Sequence, residues 1–142
     1  MRIAYFFPML LIIVSAFACV SHDKSNANAE IPDTTFSSIQ KAVFHESCSA
    51  PSCHGSGAKG GLSLLAGESY TQLAGVPSTL DKKNFPPFLR VKPGHPDSSF
   101  LLVKLTAPDS SQGEIMPKGS DRLSRSQIDA IRRWILAGAP NN

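Results

Sequence analysis

With 142 residues the chain has room for one domain with a modest core and none for a second. Its 14 Lys and Arg against 11 Asp and Glu leave a formal charge of +3, a balance too small to argue for or against an acidic partner. No basic block of the kind nucleic-acid binders carry is present, so nucleic acid is discounted as a partner.

Met1 and Arg2 precede an uncharged apolar run from Ile3 to Val20, and a polar stretch begins at Ser21. This is the layout of a secretory signal. The run also lies near the lower limit for a membrane-spanning helix, so an uncleaved anchor competes; the small residues Ser15, Ala16 and Ala18 at its end favour cleavage. Ala16-x-Ala18 suits the ordinary signal peptidase. Ala18 followed by Cys19 resembles the end of a bacterial lipoprotein signal, although Ala16 and Phe17 depart from the usual box. The chain has three cysteines, and an odd free thiol is unusual in an oxidising compartment. Lipidation of Cys19 leaves Cys48 and Cys53 as a pair. The expectation is a lipoprotein-type signal over residues 1–18, a tether over 19–33 and a folded domain over 34–140. The protein is then exported, periplasmic or in the cell envelope, and held to the membrane through acyl chains on Cys19.

Phe36, Ile39 and Val43 fall at helical spacing, with Asp33 or Thr34 as N-cap, and predict a helix from Thr35 to Glu46 that leads into Cys48. Ser47 to Gly61 is rich in Ser, Gly and Pro and reads as a loop. Short helices are predicted over Glu68–Leu73 and Ser98–Leu105. Between them Pro77, Pro86, Pro87, Pro93 and Pro96 exclude long helices and central strands. In the last element Ser124 and Gln127 form a capping box ahead of an apolar stripe of Ile128, Ile131 and Ile135 widened by Trp134, and Gly138 and Pro140 stop it. No segment alternates convincingly at period two. The fold class is therefore mainly α, with terminal helices, a loop-rich middle and a core that includes Phe100, Leu101, Leu105, Trp134 and Ile135.

Cys48-Ser-Ala-Pro-Ser-Cys53-His54 places two thiols a few residues apart with an imidazole directly after the second. In covalent haem attachment each thiol adds to a vinyl group and the adjacent histidine becomes an axial ligand of the iron. The usual spacing has two residues between the cysteines and this chain has four, which puts the Cys48 thioether in question. A plain Cys48–Cys53 disulfide and a zinc site are the competing readings. Met116, in Gly113-Glu114-Ile115-Met116-Pro117, is the candidate for the second axial position; His95 is its rival and His45 a weaker one. Pro93 lies in a turn that either offers a carbonyl to the second ring nitrogen of His54 or is a simple surface turn. Gly60-Gly61 would let the backbone approach a flat ligand, and Arg90 and Lys92 are candidates to meet haem propionates.

The succession Phe36-x-x-Ile39, Cys53-His54-Gly55, Lys59-Gly60-Gly61-Leu62, Val91-x-Pro93-Gly94, Ser98-Ser99-Phe100-Leu101, Met116-Pro117 and Trp134-Ile135-x-Ala137-Gly138-Ala139 resembles the monohaem cytochrome c domains of the planctomycete type over nearly the whole chain from Thr35 to Ala139. The resemblance implies a small cytochrome c-like domain with N- and C-terminal helices packed around one haem. It further implies one covalent haem c at Cys48 and Cys53, His54 and Met116 as iron ligands, and electron transfer without substrate turnover. The expected partners are redox proteins. The alternatives are an open-site haem sensor or peroxidatic protein, and a haem-free exported module closed by a disulfide.

Overall fold

The computed structural model describes residues 33–142; the signal, Cys19 and the tether up to Pro32 lie outside the described residues. Four helices carry the fold, and no strand occurs among the described residues. None of these helices is long and apolar enough to cross a membrane.

Helix α1 runs Phe36–Ile39 and continues without a break as a π-helix over Gln40–Cys48. Its N-cap is Thr35, one residue beyond Thr34 and two beyond Asp33, the expected caps: the Thr35 hydroxyl accepts from the Ser38 amide at 3.3 Å, while Asp33 accepts from the Thr35 amide at 2.8 Å. Asp33 thus caps the cap. In the first turn, the Phe36 and Ser37 amides donate to the side-chain and main-chain oxygens of Asn142, at 2.9 and 2.8 Å. The folded unit therefore reaches two residues past the expected end at Pro140.

The π-helical stretch ends through the Ser49 amide on the Phe44 carbonyl, an i to i+5 bond of 2.9 Å. Such widened turns are rare and concentrate at functional sites. Here the widening carries the helix two residues beyond the expected Glu46, so that Cys48 is its last residue.

Helices α2 (Ser69–Leu73) and α3 (Phe100–Thr106) fall within or a residue from the expected stretches. The proline-rich middle between them is held by isolated bridges, Ala74 to Val91, Pro77 to Leu89 and Leu89 to Ser99, and not by a sheet. Helix α4 (Arg125–Leu136) begins with the expected capping box, with Ser124 Oγ accepting from the Gln127 amide and Gln127 Oε1 from the Ser124 amide.

The terminal helices pack on each other through aromatic side chains. Phe36 lies 5.3 Å from Trp134 and 5.1 Å, edge on, from Tyr70 between ring centroids, the separations at which rings attract beyond their area burial. The Trp134 indole donates to Pro140 O at 2.8 Å and the Tyr70 hydroxyl to Ala139 O at 3.0 Å. The end of the chain is thereby folded back onto the α1–α4 contact. Below it, Val43, Phe44, Leu64, Leu73, Leu105 and Leu123 are buried, and one side of that layer faces a cavity.

Candidate functional site

The cavity has a volume of about 100 Å³ and opens to solvent. Its walls are the end of α1, the loop from Lys59 to Leu64, α3 and the loop before α4. Cys48, His54 and Met116 all line it, among Val43, Phe44, Leu64, Leu73, Phe100, Leu101 and Leu105. Three residues drawn from two distant stretches of sequence are brought to one apolar space.

The turn after Cys48 is built by main-chain bonds that compensate for the loss of helix at Pro51. Cys53 N donates to Ala50 O at 2.8 Å, His54 N to Cys48 O at 3.1 Å and Gly55 N to Ala50 O at 3.1 Å. Gly55 is required there: a Cβ on it would sit 2.3 Å from Ser49 O and 2.9 Å from Ala50 O, both main-chain atoms. The chain then comes back past the turn, with Leu64 N donating to His54 O at 2.6 Å.

His54 Nδ1 lies 3.2 Å from Leu62 O. A carbonyl only accepts, so this contact places the proton on Nδ1 and leaves the Nε2 lone pair of the neutral ring available as a ligand. Of the two readings of the Pro93 turn, the carbonyl bond to His54 does not form, since Nδ1 meets Leu62 O instead. Pro93 is exposed, and its neighbour Gly94 donates to Ile135 O at 2.8 Å, docking the turn on α4. Leu62 O was not legible in sequence, because a main-chain carbonyl carries no side-chain signal.

Cys48 and Cys53 are free thiols. Burial pushes the Cys48 thiol up to about 12, and the neighbouring Cys53 sulfur adds to the shift. Burial thus favours the neutral form of the Cys48 thiol. Among the described residues no group of three or more His, Cys, Asp or Glu is placed to hold a metal ion. Cys53 is exposed and is not among the residues lining the cavity.

Of the rivals for the second axial position, only Met116 lines the cavity. His95 is exposed and lies outside it, and His45 is exposed beside Glu46, with Nδ1 3.0 Å from Glu46 Oε1. Met116 is half-buried and packs against the main core. Its amide donates to Lys104 O at 2.7 Å, tying the loop to α3.

Lys59, Arg90 and Lys104 are the cations of the cavity lining. Arg90 donates to Gln72 O and Gly61 O, each at 2.9 Å, and burial pulls its guanidinium below the usual value without a neutral form becoming accessible. It is held at the rim beside Gly60 and Gly61. Lys92, the other candidate, is exposed and outside the lining.

The donor set is one imidazole and one thioether, with a neutral thiol at the same wall and apolar side chains between. Those donors suit haem iron, and apolar side chains make up most of the lining. A hydrated divalent cation would need the carboxylates this cavity lacks. No protein-family model, curated protein or solved structure matches the chain.

Proposed function

We propose that the chain is an exported monohaem c-type cytochrome that carries single electrons, and is not an enzyme. The observation that supports this best is the convergence of Cys48, His54 and Met116 on one apolar cavity, with His54 Nδ1 directed to Leu62 O. Bound haem supplies an iron that takes up and gives back one electron, Fe(III) to Fe(II). Cys48, which lines the cavity, and Cys53, in the turn that follows, would hold the group through thioethers, each thiol S–H adding across a vinyl double bond. His54 would ligate through Nε2, with Nδ1 directed to the Leu62 carbonyl. Met116, which lines the same cavity, would supply a second ligand to the metal, and its thioether would favour the reduced state. Phe44, Leu64, Leu73, Phe100 and Leu105 exclude water from the metal's surroundings, and Arg90 meets propionate charge at the rim.

Residues 1–18 act as a lipoprotein signal and acylated Cys19 holds the domain at the membrane through the tether, so that redox proteins of the envelope are the partners. Labelled palmitate should enter the wild type and not Cys19→Ser; a fully soluble, unlabelled wild type would instead assign cleavage to the ordinary signal peptidase.

The central test is covalent haem. Protein made together with haem-attachment machinery should give a pyridine haemochrome, keep its colour through acid-acetone and stain for haem on denaturing gels. Blank gels and complete loss of colour would overturn the proposal.

A further inference from the structure

Three contacts from one residue converge on the loop that carries Met116. Lys104, in the last turn of α3, sends its Nζ to the carbonyl oxygen of Gln112 at 2.9 Å and to that of Glu114. Its own carbonyl oxygen accepts from the Met116 amide at 2.7 Å. Between the two gripped carbonyls stands Gly113 with φ 76°, a conformation that favours glycine. A Cβ there would stand in ordinary van der Waals contact with Lys104 Nζ, at 3.5 Å, so the constraint on this position is its positive φ.

The far end of the grip is itself fixed. Gln112 is only 4 % exposed. Its Nε2 donates to Asp81 Oδ1 at 2.8 Å, and its Oε1 accepts from the Asp109 amide at 2.9 Å. The Glu114 carboxylate is occupied elsewhere, by Lys118 at 2.8 Å. A lysine with no task extends its ammonium into water, because desolvating that charge is unfavourable. Lys104 instead lies along the cavity wall, with its donors on two main-chain carbonyls of one loop.

On the reading of Met116 as an iron ligand, we propose that Lys104 is its positioning residue, clamping the 112–116 loop from both its ammonium and its carbonyl so that the thioether stays at the cavity. Lys104 touches no reacting atom and acts through Met116.

The test uses the haem-loaded full chain. Ferric wild type should show the weak far-red charge-transfer band of a methionine-ligated haem. Lys104→Met keeps the aliphatic stem and removes the donors. It should retain covalent haem, lose half or more of that band, bind cyanide about tenfold more tightly, and exchange the Met116 amide hydrogen about tenfold faster. Lys104→Arg, which keeps a cationic donor, should recover most of the band. If Met116→Ala abolishes the band while Lys104→Met leaves both the band and Met116 exchange unchanged, the clamp is wrong and the haem reading stands. Absence of covalent haem from the wild type would sink the haem reading instead, and with it the role of Lys104 toward a ligand. Should Lys104→Met fail to accumulate, wild-type exchange decides. A clamped Met116 amide exchanges with the amides of α3, and exchange as fast as that of residues 118–120 would overturn the clamp.

Discussion

Gly55 and His54 are neighbours with opposite demands on the chain. His54 needs its ring held against Leu62 O, and Gly55 needs the absence of a side chain where the turn folds onto Ser49 O and Ala50 O. Gly55→Ala drives a Cβ into two main-chain atoms that cannot step aside singly, so it should cost about 1–3 kcal/mol, as overpacking does. Urea unfolding of the mutant, compared with Gly57→Ala at the next tight approach (Pro51 O at 2.4 Å), would measure it; unchanged midpoints for both would mean the turn relaxes freely. Met116→Ala tests the other wall. It should abolish the far-red band, lower the midpoint potential and open a position to carbon monoxide or cyanide. If the wild type lacks the band and the mutant changes neither spectrum nor potential, Met116 is packing only. Cys48→Ser should keep one thioether through Cys53, seen as a red-shifted pyridine haemochrome, and an unshifted band would mean Cys48 makes no thioether. At this scale the sequence singles out side chains by type, as with Cys48, His54 and Met116, which the structure brings to one cavity. It was silent where the partner is a carbonyl, as at Leu62, or where a lysine such as Lys104 matters only through the loop it meets.

At the scale of elements, local signals were legible and distant ones were not. The α4 capping box is written in Ser124 and Gln127, three residues apart, and its apolar stripe repeats at helical spacing; both need nothing beyond the segment itself. The cap of α1 moved to Thr35 because Asp33 and the distant Asn142 take part in it. The π-helical widening near Cys48 leaves no pattern in side-chain type. The loop from Asp81 to Phe88 is the clearest case of hidden order. Asp81, 5 % exposed, accepts from Gln112 Nε2, Asn84 Nδ2 and the amides of Phe88 and Lys83. Burial alone would push its carboxyl up, but those donors outweigh burial and hold it below the usual carboxylate range. A carboxyl with a folded value below its unfolded value near 3.9 contributes stability that is present above about pH 4 and lost as pH falls through the folded value. Asp81→Ala, which leaves those donors without their acceptor, should cost roughly 2–3 kcal/mol at neutral pH. The difference from wild type should shrink on acidification below about pH 4. Chemical denaturation at two pH values would check both; a difference independent of pH would assign the effect to packing.

Across the whole molecule, the buried side chains divide into two regions with different dependence on a bound group. Phe36, Tyr70 and Trp134 close the α1–α4 contact and do not line the cavity, whereas Phe44, Leu64, Leu73, Phe100, Leu105 and Leu123 do. The first region is complete from the chain's own atoms. The second borders a cavity of about 100 Å³, and side chains facing a void lose the dispersion contacts that a close-packed interior supplies. A domain of this size has little apolar area to spare. The mainly α architecture was foreseeable from helical spacing and proline placement, but the division was not, because periodicity reports that a face is buried and not against what. A group that fills the cavity and is bonded to Cys48 and Cys53 should therefore stabilise the fold unevenly. The full chain carrying Cys48→Ser and Cys53→Ser, produced without haem attachment, should melt about 10 °C or more below the haem-loaded wild type. Its amides in α3 should lose hydrogen-exchange protection, while those from Ala130 to Ile135 in α4 keep most of theirs. Equal melting temperatures, or uniform loss of protection in both helices, would show that the cavity is not where the bound group contributes to folding.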